Sequence, residues 1–553
     1  MEIKSVDHTF GVSAQLQASD LEALAATGVK GLICNRPDGE GADQPNFTEI
    51  EEAAAAVGIR CTYQPVVSGR ITDDDVRAFT RARHAVPSPQ VAYCRTGTRC
   101  MTLWSLSQGQ AGKPIADILA TASAAGYDMS GVATRLAGAR PASTRTYDVV
   151  IVGAGAAGIA VAASLRTRAR DLSIAVIDPA EVHYYQPGWT LVGAGVFPRE
   201  KTVRTLASLI PGSVEWIKAA VMGFEPERNA VVLEDCQRVS YRRLIVAPGL
   251  KLDWHAVDGL VETLGQHGVT SNYRFDLAPY TWELVQGLRG GRALFTQPPM
   301  PIKCAGAPQK AMYLSCDYWH RQGVLDGIEV EFHTAGAVLF GVKDYVPALM
   351  EYVQRYRAQL NFGHNLVRID GPAGKAWFSA GGGELVERPF DMIHVCPPQT
   401  APDFIRASPL ADAAGWVDVD QNTLRHSRYD NIWSLGDAMN APNAKTAAAA
   451  RMQAPVVANN LLEDAGVVHG VAHYNGYGSC PLTVERGRIV LAEFGYGGKL
   501  LPTLPRWLID GTRPSRLAWL LKEKILPPVY WQAMLKGKEW LVRPDTTRSE
   551  EER

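Results

Sequence analysis

The sequence predicts an α/β protein: an N-terminal α/β domain, then two interleaved Rossmann-type dinucleotide-binding domains that end in amphipathic helices. Three observations carry that expectation. Short apolar runs alternate with helical stretches from the N-terminus to about residue 475, the pattern of strands and helices packed in layers. One such run, Val149-Val150-Ile151-Val152, leads directly into Gly153-Ala-Gly155-Ala-Ala-Gly158. The stretch from about 480 to 553 changes character and interleaves prolines, tryptophans and lysines. At 553 residues the chain exceeds what one hydrophobic core organises. The expected division is 1–130 for the first domain, 131–146 for a linker mixing Gly, Pro and Ser, 147–475 for the interleaved pair and 476–553 for the C-terminal segment.

Composition excludes several function classes. Lys+Arg 56 against Asp+Glu 57 gives a formal net charge of -1, with no global excess of positive charge to hold a polyanion, so nucleic acid is not an expected partner. The 9 cysteines lack the paired short spacings of a zinc site and the density of a secreted disulfide scaffold, so no metal is expected and a reducing, intracellular setting fits. The N-terminal Met-Glu-Ile-Lys-Ser-Val-Asp-His has an acid and a histidine where a secretory signal needs an apolar core. No run of about eighteen apolar residues occurs, which excludes a spanning helix but not an interfacial one.

The glycine motif is the first candidate site. Gly153 permits the tight turn, Gly155 lets backbone approach a pyrophosphate, and Gly158 lets helix and strand pack closely; Ala156 and Ala157 open the helix whose unpaired N–H groups would hold the anion. A second strand, 174–177, ends in Asp178, a carboxylate placed to accept from ribose hydroxyls. Further on, the strand from Tyr241 ends in a small-residue turn at Ala247 and Gly249, as in flavoproteins with two dinucleotide domains, where the chain recrosses the first domain. The late strand Asn431-Ile-Trp-Ser-Leu leads to Gly436 and Asp437, and Asp437 resembles the acid that holds the FAD ribityl chain in that superfamily. Asn443, Lys445 and Thr446 start a helix whose positive end would stabilise the anionic edge of a reduced flavin. FAD therefore belongs in the first site.

Where a second nucleotide fingerprint would stand, the strand 292–296 runs instead into Pro298-Pro299-Met300-Pro301-Ile302-Lys303-Cys304-Ala305-Gly306-Ala307-Pro308. Prolines remove backbone donors, so this loop is a poor pyrophosphate cradle. It presents a cysteine. Lys303 and a helix beginning near Pro308 would favour the thiolate and make Cys304 nucleophilic, whereas the plain alternative is a small buried hydrophobe.

The run 301–310, with Tyr185-Gln-Pro187-Gly-Trp-Thr-Leu-Val-Gly-Ala-Gly195, Phe340-Gly-Val-Lys343 and Ala413-Ala-Gly-Trp-Val-Asp-Val-Asp420, resembles the mitochondrial-type sulfide:quinone oxidoreductases over about 147–540. That resemblance implies a cofactor contact at Pro187 and a Cys304 that takes up sulfide and passes electrons to the flavin, with quinone as final acceptor and a thiol receiving the persulfide. It also implies a second redox cysteine directly after the Gly-Asp pair, and this chain has Ala438 there. Cys396, at the end of another apolar strand, is either a relocated partner or a buried thiol, the latter slightly favoured. Cys316 is expected on the helix after the loop, facing the core. The missing partner leaves sulfide or a related small sulfur species as substrate.

In the C-terminal segment, 504–509 and 516–538 alternate basic residues with bulky apolar and aromatic ones, among them Trp507 and Trp531. Such helices suit the headgroup region of a membrane, where a lipid-soluble quinone is reached; ordinary packing helices or a dimer contact have the same pattern. The resemblance favours a membrane surface, on its cytoplasmic face.

In the first domain, the strand 90–93 is followed by Cys94-Arg-Thr-Gly-Thr-Arg99 and a helix from Cys100. A cysteine and an arginine with four residues between them across a strand-to-helix turn form an anion cradle that lowers the thiol pKa. With Gly31–Gly39 and Tyr63–Gly69, the segment 3–112 resembles the small phosphatase-like domain of the beta-lactamase-hydrolase-like family. The loop is one residue shorter than in tyrosine phosphatases and equals that of rhodaneses, which favours sulfur transfer over phosphate chemistry or a bare structural turn. The expectation is a bifunctional sulfide oxidase and sulfurtransferase, with an oligomer left open. Competing readings are a phosphatase fused to an NAD(P)H-dependent flavin reductase and a non-catalytic sulfide sensor.

Overall fold

The computed structural model describes residues 2–547 apart from 42–43, 133–134, 137–145, 235–236, 382, 384, 443 and 543. The expected linker at 131–146 lies largely outside these residues, as do Cys236 and Asn443. The chain divides into two compact units, Met1–Thr146 with Ala219–Tyr241 and Tyr147–Lys218 with Arg242–Arg553.

The first unit is built on a five-stranded sheet in the order Ile3–Ser5, Phe10–Ser13, Gln90–Tyr93, Gly31–Cys34, Arg60–Tyr63. All pairs are parallel except the first. Gln90–Tyr93 and Gly31–Cys34 are buried at every residue, as parallel strands covered on both faces must be. The helix Asp73–Ala85 starts at a reciprocal cap, with Thr72 Oγ1 accepting the Asp75 N–H and the Asp75 carboxylate accepting the Thr72 N–H. It packs Phe79 against Phe10, Cys100 and Trp104 in the core. Gln90–Tyr93 is the central strand, so Cys94 leaves the sheet at a carboxyl edge, where ligands of open α/β sheets bind. The next helix is Thr98–Gln110, two residues earlier than expected, because Gly97 at φ 84° turns the chain into it. The antiparallel strands Val221–Glu225 and Ala230–Leu233 complete this unit.

The second unit carries two Rossmann-type sheets. Glu215–Ile217, Ile174–Ile177, Thr146–Val152 and Arg238–Val246 follow one another in the first, and Ile432–Ser434 returns late in the chain to pair in parallel with Arg238–Val246. Val269–Thr270, Met392–His394, Gly291–Gln297, Ile328–Thr334 and Gln359–Phe362 form the second, parallel throughout. The chain thus enters the first sheet, crosses to the second and comes back. Helix Ala156–Arg168 follows the glycine turn, and helix Ala307–Gln322 follows the Cys304 loop with Cys316 fully buried, as its spacing predicts.

The C-terminal stretch is knit into this core. Strand Gly478–Glu485 pairs with Arg488–Phe494 and packs on helix Ala307–Gln322, where Cys480, Leu482, Val484 and Val490 join Met312 and Cys316. Of the expected amphipathic helices, 516–532 is one helical run, Arg516–Leu520 and Leu526–Gln532 continuing through a wider turn over Leu521–Ile525, whereas 504–509 forms no helix. Trp519, Tyr530 and Trp531 turn inward, while Trp507, Leu517, Leu520, Ile525, Trp540 and Leu541 face solvent. Among the described residues no helix is long and apolar enough to cross a membrane.

Candidate functional site

A cavity of about 980 Å³ in the second unit gathers residues scattered across the sequence: Gly155, Ala156, Ala157, Asp178, Pro187, Ala247, Gly249, Gly436, Asp437, Lys445, Thr446 and Cys304 all line it. Gly153 and Gly158 lie beneath that wall and shape it. A Cβ on Gly153, at φ 96°, would meet Ala247 O at 2.5 Å, and one on Gly158 would meet Gly153 O at 1.8 Å. Gly155 has nothing within 4 Å, leaving backbone exposed to the cavity where a pyrophosphate would lie. The Asp178 carboxylate accepts the Ala154 N–H at 2.6 Å and the Ala180 N–H at 2.8 Å, bracing the turn while keeping lone pairs for hydroxyl donors.

At the other end, Thr446 caps helix Ala447–Asp464 by accepting the Ala449 N–H at 3.2 Å. The first-turn residues Ala447 and Ala448 line the cavity, so the positive helix end faces it. The Lys445 ammonium is held at the cavity wall: its Nζ donates to Asp437 O at 2.9 Å and Met439 O at 2.8 Å, above the Trp416 ring at 4.2 Å. It braces the Gly436 turn, and burial lowers its pKa to about 8. Burial raises the Asp437 carboxyl, against the pull of Lys445 and Lys303. An open pyrophosphate-length wall, a carboxylate at the strand end and a helix N-terminus across the cavity together fit FAD.

Between these ends stands Cys304, with a left-handed backbone at φ 50°, unusual for a side chain with a Cβ and held by its N–H to Lys445 O at 2.8 Å. Its Sγ lies 4.0 Å from Cys480 Sγ, and Lys310 Nζ donates to it at 3.1 Å. The Cys480 thiol, then the Lys310 and Lys522 ammoniums, hold Cys304 well below the usual thiol pKa against the cost of burial, while Cys480 is pushed up as the hydrogen-bond donor of the pair. Lys522, buried in the wide turn, is lowered to about 7, by burial first and then by Lys310. Gly306 makes the sulfur pair sterically feasible, because a Cβ there would meet Cys480 Sγ at 2.5 Å and Leu482 Cδ2 at 2.4 Å.

The sulfur that faces Cys304 is therefore that of Cys480. Cys396 shares an apolar cluster with Cys304, Ile302 and Ala307, and like Cys480 it does not line the cavity; the two differ in that the Cys304 sulfur contacts Cys480. Its sulfur accepts from Gln399 Nε2 at 3.8 Å, and burial pushes the thiol up to about 12. Ala438 is fully buried and also off the wall. Sequence reasoning missed Cys480, Lys310 and Lys522. The one local signal for Cys480 is the alternation Cys480, Leu482, Val484, which marks a strand face turned inward.

In the first unit, Cys94 sits in a nest of backbone N–H groups from Thr96, Arg99 and Cys100 and accepts the Cys100 thiol. That thiol, followed by the backbone donors, lowers Cys94 to about 6 in spite of burial. The Arg99 side chain, expected to face a ligand, is engaged elsewhere: Nη1 donates to Asn35 O at 2.9 Å and Nη2 to Glu40 Oε1 at 2.8 Å. Because the thiolate is the reactive form, alkylation of Cys94 is expected to rise with pH through a midpoint near 6 and to be lost below it, where the sulfur is protonated. Iodoacetamide labelling against pH, read on the Cys94 peptide, checks this, and a midpoint near 8.5, that of a free cysteine, would count against the cradle.

Comparisons with known proteins match two separate stretches of the chain. The beta-lactamase hydrolase-like protein, phosphatase-like domain, matches residues 2–113, and the pyridine nucleotide-disulphide oxidoreductase family matches 147–280. A mitochondrial sulfide:quinone oxidoreductase of Dictyostelium discoideum is 42% identical over 393 residues, covering 70% of this chain and 86% of that protein. A beta-lactamase hydrolase-like protein of Agrobacterium fabrum is 34% identical over 113 residues, 20% of this chain and 26% of that protein. The crystal structure of the sulfide:quinone oxidoreductase of Aquifex aeolicus superposes with a TM-score of 0.61 at 18% identity, over 72% of this chain and 97% of that one, a likeness of fold.

Proposed function

The chain belongs to the mitochondrial-type sulfide:quinone oxidoreductases, and from that premise we propose that Cys304 and Cys480 are its redox pair and that Cys94 receives sulfur in a second step. The activity is FAD-dependent oxidation of sulfide with quinone as acceptor. What supports the pair is one observation: Cys304, in the wall of the FAD cavity with Lys310 at its sulfur, has the Cys480 sulfur 4.0 Å from its own.

The ionisation of the two thiols decides the direction of attack. In disulfide exchange the sulfur whose thiolate is more stable leaves. Cys304 is that sulfur, so hydrosulfide attacks Cys480 in the oxidised pair, giving Cys480–S–SH and the Cys304 thiolate under the Lys310 ammonium. A small thiol RSH then takes the outer sulfur as RSSH, restoring the Cys480 thiol. Re-forming the disulfide from the Cys304 thiolate and the Cys480 thiol releases two electrons and one proton, and Lys522, poised near neutrality, is placed to carry that proton. FAD supplies the two-electron acceptor. Anaerobic titration with sulfide while following the flavin spectrum tests the reading; a spectrum unmoved by excess sulfide would overturn it.

The domain division follows the same logic, with residues to about 130 as the sulfur-transfer domain and the remainder from 147 as the flavoprotein. Lys522 and Tyr530 line the FAD cavity, so the C-terminal segment is read as a wall of the site as well as an interface. Peripheral attachment at the cytoplasmic face of a membrane is supported by Trp507 at 85% exposure, with Leu508, Leu517 and Leu520 also exposed and none of them lining the cavity. Replacing Trp507, Leu517 and Leu520 together by serine is expected to weaken partition to lipid vesicles by about 10²-fold or more, since each large apolar side chain contributes about 1.5–3 kcal/mol when buried. Turnover with a water-soluble quinone analogue is expected to persist. Equal co-sedimentation of wild type and variant would rule out this surface.

A further inference from the structure

Two buried arginines in the first unit hold one carboxylate between them. Glu40 Oε1 accepts from Arg99 Nη2 at 2.8 Å and Oε2 from Arg36 Nε at 2.9 Å. The guanidinium side chains are 6% and 7% exposed, whereas the Glu40 side chain is 26% exposed on a loop whose neighbours Asp38 and Gly39 face solvent. Arg99 Nε is buried with no partner at all. The same Arg99 gives its backbone N–H to the Cys94 sulfur, and the Cys34 thiol that donates to Arg36 O at 3.3 Å lies within electrostatic reach of Cys94. Arginine pair and nucleophile are therefore linked through Arg99 itself and through the Cys34–Arg36 turn.

Charge balance says what the pair is for. Two buried guanidiniums need two negative charges, because an uncompensated buried ion is strongly destabilising. Glu40 provides one of them by direct contact with both. A carboxylate bridging two guanidiniums is also the geometry of a bound carboxylate or sulfonate, and this one is delivered by an exposed loop on buried partners.

We propose that Arg36 and Arg99 form an oxyanion subsite beside Cys94, that Glu40 fills it in the resting chain, and that the sulfur donor carries a carboxylate or sulfonate group that displaces Glu40. This rests on the sulfur-transfer reading of Cys94. With thiosulfate, the Cys94 thiolate attacks the outer sulfur, the S–S bond to the sulfonate breaks, and sulfite leaves with the electron pair. With a carboxylate-bearing persulfide, RSSH, the thiolate takes the outer sulfur and RS⁻ leaves. In both cases Cys94 becomes the persulfide, and cyanide then removes the sulfur as thiocyanate.

The test uses the full chain and two kinds of probe. Alkylation of Cys94, read on its peptide, is compared for iodoacetate, which carries a carboxylate, and iodoacetamide, which does not. Glu40→Gln is expected to raise the iodoacetate-to-iodoacetamide rate ratio about tenfold, the worth of one charge-assisted hydrogen bond, and Arg36→Gln to lower it. The same ratio in wild type and both variants overturns the subsite. Thiocyanate formation is then followed with thiosulfate, 3-mercaptopropionate persulfide and the uncharged 2-mercaptoethanol persulfide. Glu40→Gln is expected to lower KM about tenfold for whichever anionic donor is used, sulfonate or carboxylate, and to leave the uncharged one unmoved. Equal effects on all three overturn the donor class. No thiocyanate from any donor in wild type removes the sulfur-transfer reading, and the alkylation ratio still decides the subsite. Cys94-dependent hydrolysis of an aryl phosphate by Glu40→Gln would replace the sulfur donor by a phosphate ester.

Discussion

Cys304→Ser is expected to keep FAD in its cavity and to slow reduction of the flavin by sulfide by about 10³-fold or more, the scale on which an enzyme loses rate when its nucleophile is removed. The two halves of that outcome come from different parts of the site. FAD retention rests on Gly153, Gly155, Gly158 and Asp178, none of which depends on the cysteine. Loss of reduction rests on the sulfur itself, since a hydroxyl forms neither a disulfide with Cys480 nor a stable anion beside Lys310. The left-handed backbone at residue 304 is set by the loop and its N–H bond to Lys445 O, so serine inherits the geometry and lacks the chemistry. Flavin content after purification and stopped-flow reduction under anaerobic conditions measure the two halves separately. Normal reduction kinetics would remove Cys304 from the reaction.

The cofactor half of the site is legible in the sequence because its determinants are local. Strand, glycines and helix occupy consecutive residues from 146 to 168, and Gly153 and Gly158 are each required by an atom a Cβ would strike. The sulfur half is not local. Cys480 is 176 residues from Cys304, and nothing in a strand of alternating residues says which helix its inner face will meet. The family resemblance directed attention to position 438, which the fold buries away from the cavity, and Cys396 drew attention because it ends a strand. Strand ends do gather at the site, but the Cys396 thiol points into the packing around Gln399. Lys445 stands just before the helix start, as its sequence position implies, but that position does not reveal that its Nζ also braces the Asp437 and Met439 carbonyls. Arg99 shows the same limit, since a spacing motif cannot reveal that Glu40 occupies the guanidinium. In the C-terminal segment the pattern of basic and aromatic residues describes a surface, and only the packing separates the inward Trp531 from the outward Trp540.

Replacing Cys480 is expected to abolish multiple turnover in either of two variants while changing Cys304 in only one of them. With serine or alanine at 480 no disulfide forms, so hydrosulfide has no sulfur to attack and steady-state quinone reduction is expected to fall by about 10²-fold or more. The ionisation of Cys304 separates the two substitutions. Its thiolate is stabilised first by the hydrogen bond from Cys480 and then by Lys310 and Lys522. A serine hydroxyl still donates, so Cys480→Ser keeps the Cys304 pKa low; Cys480→Ala removes the donor, and the pKa rises. Alkylation of Cys304 therefore keeps a low-pH midpoint in the serine variant and moves to higher pH in the alanine variant, where the thiolate is lost over the window between the two midpoints. Cys396→Ser is the contrasting case: it exchanges one buried thiol for a hydroxyl at the end of an apolar strand, which costs about 1–3 kcal/mol of stability where the hydroxyl finds no partner, and turnover stays near that of wild type. The opposite pattern, with Cys480→Ser active and Cys396→Ser stalled, would transfer the resolving role to Cys396 and require the loop around Cys304 to move away from Lys310.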